Sequence, residues 1–303
     1  VPMSVSNKLI MLGDHKQIPP MADPDVIETL NDRGIDTELY EKSLFEVMYV
    51  NLPDSNKQML DTQFRMPGEI ADIISEWFYE GKYLSAEIKR GVKSLIPAIS
   101  DKPFIIIDTS DSQNRFETEV KKGELTERHN DLECNIIVDI CLMLKKQGFN
   151  FSEVGVISAL KAQVNRIKEK MIAAGFEKGI VNETVATLDS FQGQERKIIL
   201  YSFTRSAKKS SKATRVGFLT ELRRLNVAMS RCKQNIVLIG DMTYLSECEK
   251  VTGNKGETVS IEKTEKNFSD FIVKMLDDVR SKNRGEILTS SELKKRLTES
   301  NEK

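Results

Sequence analysis

Cysteine is scarce and scattered in this 303-residue chain. Cys134, Cys141, Cys232 and Cys248 form no CxxC pair, and only His15 and His129 accompany them. That is not the ligand spacing of a structural zinc site, so the thiols read as the reduced cysteines of a cytoplasmic protein. No secretory signal and no bilayer-length apolar run is present, which argues against a membrane partner. Neither sign of charge dominates: 45 basic residues face 46 acidic ones, and the sequence pI is near 6.3. A basic-arm nucleic-acid binder is thereby disfavoured, whereas an enzyme with a local basic groove is not. There is no internal repeat. The first residue is Val1, a few residues ahead of an apolar run, and we expect a piece of a longer protein.

What is present is an ordinary globular composition, 30% charged and 39% hydrophobic, with length for a substantial core. Lys8–Gly13 reads as a short buried strand. Asp14, His15, Lys16 and Gln17 follow on a loop that Pro19 and Pro20 keep irregular. Tyr49–Leu52 reads as another strand. Pro67 and Glu69 mark a helix start, and Ile70, Ile73, Ile74, Trp77 and Phe78 recur at helical spacing up to Gly81. Residues 85–101 read as a surface insertion and residues 110–130 as a charged loop. Phe104–Asp108, Val154–Ser158 and Asn235–Gly240 are apolar strands, the last taken as the final one. Helices are expected at Leu132–Lys146, Lys161–Ala174 and Leu222–Lys233. Strands and amphipathic helices alternating at this length predict an α/β fold, a parallel sheet covered by helices on both faces. Two further helices fall in the charged tail, at Phe268–Val279 and near Glu292–Leu297, the latter with Thr289 and Glu292 as a capping box.

The stretch Thr184–Ser206 holds two apolar segments, Thr184–Leu188 and Lys197–Phe203, around a loop rich in Asp189, Gln192, Gly193, Gln194 and Glu195. Its polarity exceeds what a turn requires, and Gly193 permits close approach of the backbone to a ligand. A loop leaving a buried strand also falls where open α/β sheets bind ligands, at the carboxyl ends. Spacing alone leaves a decorated β-hairpin open as the rival. In the helix around Leu222–Cys232, Arg224 and Arg231 fall on one side and Leu222, Leu225, Met229 and Cys232 on the other. This is either an exposed basic face or a pair of guanidiniums aimed at phosphate. The Lys-rich loop Ala207–Val216 is either solvated or a contact to a phosphate backbone.

These residues resemble a known family. Gly13-Asp-His-Lys-Gln-Ile-Pro-Pro20 is similar to motif III of the Upf-like branch of superfamily 1 helicases. Gln63-Phe-Arg-Met-Pro67 with Phe78-Tyr-Glu-Gly81 resembles motif IV. Val185–Glu195 through Thr204-Arg-Ser206 resembles motif V. Gly217-Phe-Leu with Arg223–Arg231 resembles motif VI. The order is right and the match runs from Lys8 to about Asp241. The resemblance implies a RecA-like fold, ATP with Mg2+ as cofactor, single-stranded DNA or RNA as partner, and 5′-to-3′ polarity. Within it, Gln17 senses the γ-phosphate and Asp14 supports its loop. Phe64 stacks on the adenine, and Arg65 and Arg231 act as arginine fingers. Gly193 and Glu195 face the nucleotide, while Thr187, Ser190 and Arg205 contact the strand. The match also favours a parallel strand pair joined by a brief helical turn over the hairpin.

The sequence departs from the family pattern in one large respect: it has neither a GxxxxGK[ST] loop (Walker A) nor a DEA[GS] box (Walker B). The phosphate-binding lysine and the Mg2+ carboxylate are therefore expected upstream, in an N-terminal RecA-like domain that would be this chain's partner. Residues 1–55 are read as the end of that first domain, 56–250 as the second RecA-like domain, and 251–303 as a charged helical tail. The expected function is the carboxy-terminal part of an ATP-dependent helicase or translocase, inactive as an isolated fragment. The alternative is a degenerate helicase-like domain serving as a nucleic-acid-binding or scaffolding module.

Overall fold

The computed structural model describes residues 7–18, 23–37, 42–123, 125–207, 222–247 and 268–301. Gly217–Leu219, most of the Lys-rich loop, Pro19, Pro20 and Cys248 lie outside the described residues. The chain forms two compact units, Val1–Leu60 and Asp61–Lys303.

In the first unit, α1 (Pro24–Asp32) begins at Asp23, whose carboxylate accepts from the Asp25 amide. Ser43 caps α2 (Leu44–Asn51) by accepting from the Glu46 amide at 3.0 Å. Two strand expectations fail here. Tyr49, Val50 and Asn51 continue α2 because the Ser43 cap sets a helical register that runs on to Leu52. Lys8–Gly13 is not a strand, and Ile10 and Leu12 are 80% and 86% exposed. A strand needs a neighbour for its ladder, and no described segment of this unit offers one.

The second unit opens with β1 (Thr62–Gln63), α3 (Gly68–Phe78) and β2 (Leu84–Ser85), β1 and β2 pairing in parallel. Then come β3 (Phe104–Asp108) and a hairpin of β4 (Thr118–Lys122) and β5 (Leu125–His129), where a loop was expected. The chain continues through α4 (Asp131–Lys146), β6 (Val154–Ser158), α5 (Lys161–Ala173), α6 (Lys178–Thr184) and β7 (Val185–Thr187). It ends with β8 (Arg196–Ser202), α7 (Leu222–Met229), β9 (Cys232–Gly240), α8 (Met242–Glu247), α9 (Phe268–Ser281), β10 (Glu286–Thr289) and α10 (Ser290–Asn301). The main sheet has the order β10-β3-β9-β8-β6-β7, and every pairing is parallel.

Alternation along the strands sorts the core into two layers. Ile105, Ile107, Val154, Val156, Ile198, Leu200, Val237 and Ile239 pack with α4, α5, α6 and α10 on one face. On the other, Tyr201 meets Phe203 edge-on at 5.0 Å and Phe203 meets Phe268 of α9 at 6.2 Å. Helices thus cover both faces of a mainly parallel sheet, the RecA-like arrangement. Residues 85–101 are not a surface insertion: Ile96 and Ile99 are fully buried in the first layer. β9 is not the final strand, because β10 adds a parallel edge beside β3. Gly285 allows that approach, since a Cβ there would collide with the Phe104 carbonyl. The Thr289–Glu292 capping box is present in both directions, with the Thr289 amide donating to Glu292 at 2.8 Å and the Glu292 amide to Thr289 Oγ1 at 3.1 Å.

Candidate functional site

The connection between β7 and β8 is not a hairpin. β6 lies between the two strands, and residues 188–195 carry the chain from the carboxyl end of β7 back to the amino end of β8. A short helical turn makes this return, with the Phe191 amide bonded to the Thr187 carbonyl at 3.0 Å. The turn crosses β6 at Gly155, where a Cβ would sit 2.6 Å from the fully buried Phe191 ring. The polar loop therefore spans the height of the sheet instead of sitting at its carboxyl end. Thr187 and Ser190 stay at that end, while Gly193 and Glu195 are delivered to the opposite one. Gly193 adopts φ +80°, and the place a Cβ would take is open space.

At the amino ends of β8 and β9, Glu195 is held by two cations. Lys233 Nζ lies 2.6 Å from Oε1 and Arg65 Nε 2.7 Å from Oε2. The Lys233 hydrogen bond, with the Arg65 charge behind it, holds the carboxyl below the usual glutamate range. Arg65 also donates from Nη1 to the Ser230 carbonyl at 3.3 Å. Its loop is built on buried Gln63, whose Oε1 accepts the Arg65 and Met66 amides at 2.8 and 2.9 Å. The same loop leaves the Phe64 ring 69% exposed, a free stacking surface.

Arg231 follows Ser230 directly, 6% exposed, its Nε donating to the Val227 carbonyl at 3.2 Å and its own carbonyl accepting from the Arg196 amide. The arginine helix is shorter than expected. It ends at Met229, so Arg231 lies beyond it and the heptad relation to Arg224 fails. Arg224 instead pairs with Asp189 of the crossover at 2.7 Å, with 6% of its side chain exposed. The helix is buried from Arg224 to Met229, which removes the exposed basic face.

At the carboxyl end, Thr187 Oγ1 donates to Ser190 Oγ at 2.9 Å. Both line a groove of about 660 Å³ that also takes in Lys161, Lys168, Asn165 and Arg196. Arg205 is not among its lining residues: its Nε pairs with Glu117 at 2.6 Å and its side chain is 8% exposed. In the first unit, Asp14 accepts the Lys16 amide at 2.9 Å and the Gln17 side-chain amide at 2.8 Å. The structure thus brings Phe64, Arg65, Glu195 and Arg231 to one end, Thr187 and Ser190 to the other, and leaves Arg205 in an internal ion pair. Lys233, Gln63 and Glu117 were not singled out beforehand. Gln63 stands inside the motif IV match, whereas Lys233 and Glu117 carry no spacing signal.

Among the described residues no cluster of three or more His, Cys, Asp or Glu could hold a metal, and no helix is long and apolar enough to cross a membrane. Cys134, Cys141 and Cys232 are buried and free, and burial pushes the Cys232 thiol up to about 12.

An AAA domain family model matches residues 40–243. The chain is 31% identical over 82% of its length to the DNA polymerase alpha-associated DNA helicase A of Saccharomyces cerevisiae, covering 36% of that protein. It is 30% identical, again over 82%, to Helicase SEN1 of the same yeast, covering 10%. An uncharacterised ATP-dependent helicase of Methanocaldococcus jannaschii is 29% identical over 82% of this chain and covered to 34%. The chain thus spans about a third or less of these relatives. The four motifs, the parallel sheet and these matches agree: the chain belongs to the Upf-like family of superfamily 1 helicases.

Proposed function

We propose that this chain is the carboxy-terminal part of an ATP-driven motor that moves along, or opens, a nucleic-acid strand with the 5′-to-3′ polarity of its branch. One observation carries the reading. A single eight-residue crossover links an Arg–Glu–Lys cluster beside an exposed aromatic ring to a hydroxyl pair at the other end of the sheet, in a groove that Lys161, Lys168 and Arg196 help to line. Such a connection lets a change at one end be felt at the other.

Phe64 supplies a face for the adenine, and Arg65 and Arg231 supply positive charge for the γ-phosphate. Fingers of this kind are worth roughly 10³–10⁵ in rate. Glu195 orients Arg65 until the nucleotide competes for it. Gln17, fixed by Asp14, takes the γ-phosphate-sensing role that the family resemblance implies. ATP with Mg2+ supplies the bond whose hydrolysis drives the cycle. The lysine and carboxylate that hold it belong to an N-terminal RecA-like domain, and the exposed apolar Ile10 and Leu12 suit contact with such a domain. Thr187 and Ser190 contact strand phosphates, with Arg205 as a positioning residue. This chain alone is inactive in our reading, since no GxxxxGK[ST] occurs in it. Its buried thiols suit the cytoplasm.

The test is ATP hydrolysis by the intact protein with single-stranded DNA or RNA. Strand-stimulated turnover that falls at least about a thousandfold in Arg65→Ala is expected. Arg65-dependent turnover by the isolated chain would overturn its inactivity, and an intact protein without the phosphate-binding lysine would overturn the motor in favour of a scaffold.

A further inference from the structure

Where the chain leaves β8 it does something a β-branched residue rarely does. Thr204, fully buried, has φ +70°, and the Arg205 amide donates back to the Phe203 carbonyl at 2.8 Å. A bond from residue i+2 to residue i around a positive φ is a γ-turn of the strained kind. Such a conformation persists only where its surroundings over-determine it. Here every polar group of Thr204 is engaged. Its amide donates to Glu133 Oε2 at 2.8 Å, its hydroxyl lies 3.1 Å from Ser158 Oγ, and its carbonyl accepts from Asn130 Nδ2 at 3.3 Å.

The clamp extends in two directions. Ser158 ends β6, its carbonyl accepting the Leu188 amide beside Thr187 and its hydroxyl accepting the Leu160 amide beside Lys161. Both neighbours line the groove. Beyond the turn, Arg205 Nε and the Ser206 amide both bond to Glu117, whose own amide donates to the Ser206 carbonyl at 2.8 Å. Glu117 also faces Arg128 at 3.3 Å, so the base of the β4–β5 hairpin is latched to the segment after β8. Asn130, which follows β5 at the same base of the hairpin, caps α4 by accepting the Glu133 amide at 3.1 Å, which sets Glu133 in place.

Glu133 is the one fully buried acid in this arrangement, and its Oε1 has no hydrogen-bond partner. A carboxyl carried into the sheet with half its capacity unused is not there for solubility. We infer that Glu133 is a positioning residue for strand binding: it locks Thr204 in the strained turn, and the turn aligns the groove through Ser158 and the hairpin through Glu117. This rests on the proposed strand-binding function.

Two measurements on the intact protein test it. Amide exchange at Thr204, Ser206 and Glu117 should quicken about tenfold or more in Glu133→Leu, with Leu200 unchanged, and recover in Glu133→Gln, which keeps an acceptor for the Thr204 amide. The strand concentration for half-maximal stimulation of hydrolysis should rise about tenfold in the Leu variant at unchanged kcat and return in the Gln variant. Thr204→Gly serves should the Leu variant fail to fold. Glycine accepts φ +70° but has no hydroxyl for Ser158, so its strand KM should rise about fivefold without loss of Tm. Unaltered exchange, or KM and kcat changing together, overturns the inference. A wild-type protein with no strand stimulation instead sinks the proposed function, and the exchange arm still judges the clamp.

Discussion

Glu133→Gln should flatten the pH dependence of the chain's stability. The carboxyl is fully buried, accepts only from Ser202 Oγ at 2.5 Å and the Thr204 amide at 2.8 Å, and has the charges of Asp241 and Glu117 nearby. Burial first, then those two acids, pushes its pKa from 4.5 up to about 8, against the two hydrogen bonds. A raised carboxyl pKa means that the folded state keeps a proton the unfolded chain releases above pH 4.5. The associated stability is complete below pH 4.5 and drains away as pH climbs to about 8. At about 1.4 kcal/mol per pH unit, the loss across that window is on the order of 3–5 kcal/mol. Gln carries no proton to lose, so its curve should lack this slope. Urea unfolding of both proteins at intervals from pH 5 to 8.5 measures it as the difference between their free energies. Parallel curves for wild type and variant would refute the burial argument.

Gly155→Ala should destabilise the chain by about 1–3 kcal/mol, read by the same unfolding assay, because the new methyl meets Phe191 where the crossover passes over β6. Arg231→Ala in the intact protein should abolish hydrolysis while nucleotide binding, followed by a fluorescent analogue, survives; an unchanged kcat would remove Arg231 from the fingers. Lys233→Met should raise the Glu195 pKa, observable by NMR of a labelled carboxyl, since the Lys233 hydrogen bond is the largest cause of its depression. No change there would mean that Arg65 alone sets the charge state.

Much of the fold was legible because strands such as Val154–Ser158 and helices such as Asp131–Lys146 declare themselves by local apolar spacing. The motif residues that meet at Glu195 were legible through family resemblance, although Arg65 and Glu195 lie far apart in the chain. Lys8–Gly13 shows the limit of local reading. Its apolar run has the composition of a strand, but composition cannot supply a neighbouring ladder. Residues 85–101 show the reverse: a polar-looking segment hides Ile96 and Ile99, whose partners come from elsewhere in the chain.

The sequence by itself determined the α/β class, core elements such as Phe104–Asp108, Asp131–Lys146 and Val154–Ser158, and the motif set, since each depends on residues close together or on recognised spacing. Only the tertiary structure decided where the charges go. Arg205 closes on Glu117, Arg224 on Asp189 and Lys233 on Glu195, across separations that no periodicity encodes. It also decided that the crossover spans the sheet. A loop's polarity says that it meets water or ligand, but which end of which strand it reaches depends on what lies between, here Gly155 of β6 beneath Phe191. The strain at Thr204 follows from the same cause, because a β-branched residue takes a positive φ only when distant groups such as Glu133 and Asn130 hold it there.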